Sequence, residues 1–388
     1  MNDAPIKIAL LGSGAIARAH MKAFLSFPDL CRITAICDLF PEKAEALAQE
    51  NGLDAGIYSD LDTLLQEAEV DAVSICLPPD THCHAAVTAL RAGKHVLCEK
   101  PMAGSLEECD KMLEAAKESG KLLGIVSQNR FKTPMQKMKR MLDNGAAGAV
   151  KMATINSLWW RGENYYDLWW RGTWEKEGGG CVTNHAVHHV DLTQWMLGMP
   201  KRITAVIANV AHDNSQCEDV GMSIWEYGDK LVQLTASLVS HGEKQEMIFQ
   251  CEKGRLMIPW EPAVQKAMPN GFPTDAAEEL QSLEAAYAAL PESPLENHEA
   301  QIANFLRAIR GEEDLVVDGE EGRKAVEIIA AMYLSGCTHQ PVELPLGKDS
   351  PFYTKAGLLA QMPHFHEKTR SVENFATSEI TFGRDVGK

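Results

Sequence analysis

Short apolar runs alternate with amphipathic stretches over the first third of the chain. Residues 6–11, 32–37, 72–77, 95–98 and 122–126 read as strands, each bounded by turn-forming residues. Residues 15–25, 41–49, 82–91 and 106–118 carry helical spacing between them. Strands that are apolar on both faces and separated by helices predict a parallel sheet covered on two sides. The first domain is therefore expected to be a doubly wound α/β unit over residues 1–126.

The pattern then changes. After a helical stretch at 131–142, residues 150–158, 202–210, 221–227, 231–239, 246–251 and 255–258 alternate as strands, and most are joined by tight turns such as Tyr227-Gly228-Asp229-Lys230. Consecutive strands with short turns predict antiparallel pairing. Helical spacing recurs at 184–197, 295–310 and 320–334. Residues 127–348 thus predict an α+β domain with one open antiparallel sheet, for substrate binding and oligomerisation. A sheet face left uncovered by helices calls for a second subunit, so a homo-oligomer through that face is expected. Residues 349–388 lack periodicity, and such a tail is expected to wrap a neighbour or stay disordered.

The chain has 388 residues, with 37 basic and 54 acidic side chains and a net charge of −17. That balance argues against nucleic acid or an anionic membrane as partner. No apolar run approaches the ~20 residues of a membrane-spanning helix, and no secretory leader is apparent at the N-terminus. The ten cysteines are scattered without a Cys-x-x-Cys pair. They read as reduced thiols of a cytoplasmic protein. His82-Cys83-His84 lacks a partner pair, so no metal is expected.

Candidate chemistry begins at Gly12-Ser13-Gly14-Ala15-Ile16-Ala17, between the first strand and first helix. Gly12 permits the tight turn, Gly14 lets backbone approach a pyrophosphate, and the helix N-terminus offers N–H groups to phosphate. Asp38 ends the second strand, where a carboxylate suits the adenosine ribose diol and repels a 2′-phosphate, so the expected cofactor is NAD. Pro79 and His82 follow the next strand at the sheet's carboxyl edge. Glu99-Lys100-Pro101 follows the one after, with Lys100 positioned to face a nicotinamide. In the second domain, Gly178-Gly179-Gly180 is read as backbone approached by something flat and bulky. It precedes Asn184, His185, His188, His189 and Asp191. On the following helix Asn184 and His188 are four apart and are expected to share a face. His188 is the expected acid–base group and His189 a packing residue. Residues 159–174 hold five tryptophans. Trp160 and Trp170, with Arg161, Arg171 and the nearby Arg130, suit stacking on and hydrogen bonding to a sugar. The echo of Leu158-Trp159-Trp160-Arg161-Gly162 in Leu168-Trp169-Trp170-Arg171-Gly172 reads as a duplicated surface.

The glycine motif, Glu99-Lys100-Pro101 and the Gly-Gly-Gly…Asn184-x-x-x-His188-x-x-Asp191 block together resemble the Gfo/Idh/MocA oxidoreductases over roughly residues 5–346. The resemblance implies a Rossmann domain, with Glu99 and Lys100 among the cofactor contacts. It implies that Lys100 binds and polarises the reacting hydroxyl, that His188 takes its proton, and that the Lys100–Pro101 peptide is often cis. Many members have aspartate at the place of Asn184, which can hydrogen-bond substrate but not share proton transfer. The expected reaction is NAD-dependent oxidation of a secondary hydroxyl of a sugar or glycoside, with C3 of a glucoside suggested by the family. Cyclitol oxidation, NAD-assisted glycoside cleavage and nucleotide-sugar oxidation are the alternatives.

Overall fold

A computed structural model describes residues 4–373 of the chain. Two compact units divide it. The first takes the chain up to Phe131 together with Leu295–Val326 and Tyr353–Ala356, and the second takes the remainder.

The first unit alternates β1 (Ile6–Leu11), α1 (Ala15–Leu25), β2 (Cys31–Cys37), α2 (Pro41–Glu50), β3 (Gly56–Tyr58), α3 (Leu61–Glu67), β4 (Ala72–Ile75), α4 (His82–Arg91), β5 (His95–Cys98), α5 (Leu106–Ser119) and β6 (Leu123–Ile125). Its six strands pair in the order β3-β2-β1-β4-β5-β6, all parallel. This is the expected doubly wound sheet, and its order reverses between β1 and β4, where such folds bind ligands. β3 and α3 escape the hydrophobic pattern. Each is short, and β3 contains no fully buried residue.

The second unit begins with α6 (Thr133–Asp143), β7 (Val150–Trp160), α7 (Cys181–Asn184) and α8 (Val187–Leu197). It continues with β8 (Arg202–Ala208), β9 (Val220–Glu226), β10 (Leu231–Ser237), β11 (Val239–Cys251) and β12 (Gly254–Ile258). A small hairpin of β13 (Gln265–Ala267) and β14 (Pro273–Asp275) and the helix α9 (Ala277–Ala288) follow. The chain then runs through α10 (Asn297–Ile309), α11 (Gly319–Thr338), β15 (Val342–Glu343) and α12 (Lys355–Gln361). The large sheet has the order β12-β11-β7-β10-β9-β8-β15. It is antiparallel except at its centre, where β10 runs parallel to β7. A purely antiparallel sheet was expected from the tight turns. The long connection from β7 through α7 and α8 supplies the crossover that a parallel pair needs.

Two boundaries differ from the sequence reading. The first domain does not close at residue 126, because α10 and the start of α11 return to it. Ile302, Phe305 and Leu306 on one face of α10 join the cluster that contains Met21 and Phe24 of α1. Gly319 and Gly322 allow α11 to lie against β6, where a Cβ at Gly322 would stand 2.5 Å from Ile125. The tail also differs from expectation up to residue 373. Tyr353–Ala356 belong to the first unit, and the described residues from Gly357 fold onto the second: Trp174 Nε1 donates to the Pro363 carbonyl at 2.9 Å, and Val372 bridges to Leu168. Residues 374–388 of the expected tail lie outside the described residues. Among the described residues no helix is long and apolar enough to cross a membrane. None of the ten cysteines forms a disulfide.

Candidate active site

The turn after β1 is built as a dinucleotide cradle. Gly12 has φ +93°, and a Cβ there would stand 2.6 Å from the Cys76 carbonyl oxygen. Gly14 caps α1 and faces open space, with nothing within 4 Å of an added Cβ. Ala15 and Ile16 open the helix, and Ala17 is fully buried against the sheet. Ser13 Oγ is buried with no hydrogen-bond partner among the described residues. An orphaned hydroxyl at a helix N-terminus fits a phosphate oxygen, so this turn fits NAD. Asp38 is not a cap of α2. Its Oδ2 accepts the Ser13 N–H at 2.8 Å and its Oδ1 the Phe40 N–H at 3.0 Å, which ties the end of β2 to the glycine turn.

Lys100 follows β5 at the same carboxyl edge of the sheet, and the Lys100–Pro101 peptide is cis. The residues around it behave differently from the sequence reading. Glu99, expected at the cofactor, turns its carboxylate inward and is 5% exposed. Its Oε1 bonds His20 Nε2 at 2.9 Å and its Oε2 accepts the Lys100 N–H at 3.1 Å. His82, also expected at the cofactor, is fully buried. Its Nδ1 lies 2.9 Å from the Pro101 carbonyl and its Nε2 2.9 Å from the Leu77 carbonyl. Burial lowers the His82 pKa, against the pull of those two carbonyls. Both side chains serve the backbone of the loops. Pro79 begins the short turn between β4 and α4. Arg130, expected at the rim of the site, is 1% exposed and pairs with Glu321 at 2.9 Å.

In the second unit, helical geometry is interrupted where one helix was expected. α7 ends at Asn184 and α8 starts at Val187, so Asn184 and His188 do not share a face of one continuous helix. Asn184 Nδ2 donates to the Gly179 carbonyl at 3.0 Å. Gly179 and Gly180 of the triplet approach protein, while an added Cβ at Gly178 would meet nothing within 4 Å. A Cβ at Gly179 would lie 2.1 Å from Tyr333 Oη, and one at Gly180 would lie 1.8 Å from the Glu218 carbonyl oxygen.

Glu218 was not singled out in the sequence. It is fully buried, and its Oε1 accepts N–H groups from Gly180 at 3.1 Å and Val182 at 3.0 Å, and the Tyr333 hydroxyl at 2.9 Å. Burial pushes its carboxyl up to about 7 against these donors. His188 is half-buried. His189 is fully buried, with neither ring nitrogen hydrogen-bonded among the described residues, and burial lowers its pKa to about 3. It therefore packs as a neutral ring.

The tryptophans divide between packing and surface. Trp174 is buried, edge-on to Tyr333. Trp159 and Tyr165 lie 5.6 and 5.9 Å from the His185 ring, next to Asn184 in the chain. Trp160 is 45% exposed and stacks on His241. Arg161 lies over Trp159 and Tyr165 and pairs with Glu243 at 2.7 Å. Arg171 lies over Tyr165 and Trp170 and pairs with Glu177 at 2.9 Å. The two Trp-Trp-Arg-Gly stretches share this chemistry and not a backbone form: one ends β7, while the other follows a short 3-10 turn.

Residues 6–127 match the oxidoreductase family with an NAD-binding Rossmann fold, and residues 135–257 match the Gfo/Idh/MocA C-terminal domain. The chain belongs to the Gfo/Idh/MocA family. As a member, it is an NAD-binding oxidoreductase and a dehydrogenase of CH–OH groups. It is 27% identical to the D-glucoside 3-dehydrogenase of Escherichia coli K12 over 89% of this chain and 99% of that one. The inositol 2-dehydrogenase of Rhizobium meliloti is 31% identical, over 52% of this chain and 58% of that one. Among solved structures, the WlbA dehydrogenase of Chromobacterium violaceum with NADH and UDP-GlcNAcA superposes with a TM-score of 0.78. It is 29% identical over 89% of this chain and 98% of that one.

Proposed function

We propose that this Gfo/Idh/MocA member oxidises a secondary hydroxyl of an uncharged sugar or glycoside, with C3 of a glucoside as the preferred position. The observation that supports it most is the place of Lys100, at the sheet edge shared with the Gly12–Gly14 turn and anchored by its own backbone. A lysine there holds the developing alkoxide by charge, and His188 takes the hydroxyl proton. NAD, when bound, accepts the hydride. Asn184 braces the glycine turn that precedes α7 through its bond to Gly179.

The uncharged substrate is supported by the arginines. Arg161 and Arg171 each face a glutamate, so neither brings a net positive charge to the aromatic cluster. A sugar's apolar C–H face suits Trp159, Tyr165 and their neighbours Trp160 and Trp170. A nucleotide diphosphate needs cations that are not already compensated. The compensation of these two arginines favours an uncharged sugar over a UDP-sugar at the aromatic cluster.

A panel of methyl and aryl glucosides, free sugars, inositols and UDP-sugars with NAD, read by NADH absorbance, tests the reading. Fastest turnover is expected with an uncharged glucoside. Preference for a UDP-sugar or an inositol would refute it, and aglycone release without net NADH would mark the cleavage chemistry instead. Lys100→Ala should abolish turnover with NAD affinity kept within a few-fold, and His188→Ala should slow the single-turnover step.

We also propose that a second copy of the chain covers the outer face of the large sheet. Val206, Met222, Ile224, Leu231 and Met152 are exposed there, and at its margin Arg202 pairs with Glu226. The patch is apolar and its charges cancel, as a self-complementary two-fold interface requires. Light scattering should give a dimer or larger, reduced in mass by Met222→Glu; a monomeric wild type at micromolar concentration would refute it. The unpaired cysteines accord with a cytoplasmic setting.

A further inference from the structure

Around Lys100 lies a buried set of side chains that the proposed chemistry does not use. His20 projects from α1 and is fully buried. Its Nδ1 is 2.8 Å from Ser74 Oγ on β4, and its Nε2 is 2.9 Å from Glu99 Oε1. His298 on α10 brings Nε2 to 3.8 Å from the same oxygen. Burial pushes the Glu99 carboxyl up, but the imidazoles of His20 and His298 hold it well below the usual range, so it is a carboxylate. Its second oxygen accepts the Lys100 N–H. On the other side, His82 bonds the Pro101 carbonyl.

We propose that Lys100 is held in place by a buried clamp, in which His20 and His298 fix Glu99 and through it the peptide entering Lys100, while His82 fixes the carbonyl of Pro101, the residue that follows it. This rests on the reading of Lys100 as the group that holds the alkoxide. These histidines are positioning residues. His20 and His82 are wholly buried and act on backbone or on Glu99, so neither presents a surface to substrate. Their purpose is geometric. A lysine has four rotatable side-chain bonds, and its ammonium is placed only as well as its Cα is. A 1 Å misplacement at a reacting centre costs on the order of 100-fold in rate.

His20, Glu99 and His298 also have the ligand types of a zinc centre, with their ligand atoms within 4.8 Å of one another. The hydrogen bonds of His20 with Ser74 and Glu99 are nevertheless complete without an ion, while His298 Nε2 is buried with no hydrogen-bond partner among the described residues. The Ser74 hydroxyl donates to His20 Nδ1, and His20 Nε2–H donates to Glu99.

The test uses the full-length enzyme with NAD and methyl β-glucoside. Turnover, KM and NAD affinity are measured for His20→Ala, His20→Gln, His82→Ala and His298→Ala, with Lys100→Ala as reference. His20→Ala and His82→Ala should each lower kcat 10- to 100-fold, with KM and NAD affinity within about threefold of wild type. His20→Gln keeps an N–H within reach of Glu99 and should recover at least tenfold of the loss. If His20→Ala does not fold, His298→Ala, at the edge of the cluster, should lower kcat three- to tenfold in the same pattern. Wild-type kcat in the histidine variants beside an inactive Lys100→Ala would overturn the clamp and leave the function intact. Wild-type turnover in Lys100→Ala would overturn the function itself. Zinc copurifying one-to-one and lost in His298→Ala would replace the clamp with a metal centre.

Discussion

Glu218 offers a measurable consequence of how the second unit is built. Two effects compete at its carboxyl. Donors from Gly180, Val182 and Tyr333 favour the carboxylate, and complete burial penalises it. Burial wins, carrying the group from an ordinary 4.5 to about 7. The fold therefore binds a proton more tightly than the unfolded chain does. The associated stability is complete below pH 4.5 and is lost as pH rises through 7. At ~1.4 kcal/mol per pH unit, the distance from 4.5 to about 7 makes about 3 kcal/mol.

Glu218→Gln removes the titration with little change of shape. Oε1 accepts from all three donors, while Oε2 shares the Gly180 N–H alone, so an amide oriented with oxygen at Oε1 keeps most of the bonds. Denaturant unfolding of both proteins at pH 5, 6, 7 and 8, followed on the transition of the second unit, gives the difference directly. Wild type should lose ground to the variant by up to about 3 kcal/mol between pH 5 and pH 8. Parallel curves, or a wild type that gains on the variant as pH rises, would show that the donors outweigh burial and refute the reasoning.

Other residues give sharper contrasts. Arg130→Ala removes a buried guanidinium and its charged hydrogen bond while Glu321 keeps its pair with Lys324, and should cost about 2 kcal/mol of stability, with KM for sugar unchanged in steady-state assays. A raised KM at full stability would return Arg130 to the site rim. Gly180→Ala must displace the Glu218 backbone and should cost at least about 3 kcal/mol in thermal unfolding. The pKa of His189 falls from 6.5 to about 3 on folding, so its contribution is complete above pH 6.5 and fades as pH drops toward 3. His189→Leu should flatten that acid limb in a circular-dichroism titration.

The sequence by itself determined the first unit's sheet, the glycine turn and the family. Each is written in local pattern: short continuous apolar runs, helical spacing, and glycines at fixed distance from a strand end. Tertiary structure decided what the polar residues do. Glu99, His82 and Arg130 look like site residues along the chain, but each is buried against a partner far away in sequence: His20 for Glu99, the Pro101 carbonyl for His82, Glu321 for Arg130. Gly179 and Gly180 look like room for a ligand and make room for Tyr333 and Glu218. Hydrophobic periodicity says that a residue is inside; it does not say which of several buried donors or carbonyls it will meet. The same limit separates α7 from α8, and returns α10 to the first unit. Those outcomes depend on contacts made only when distant segments pack, and one-dimensional spacing does not encode them.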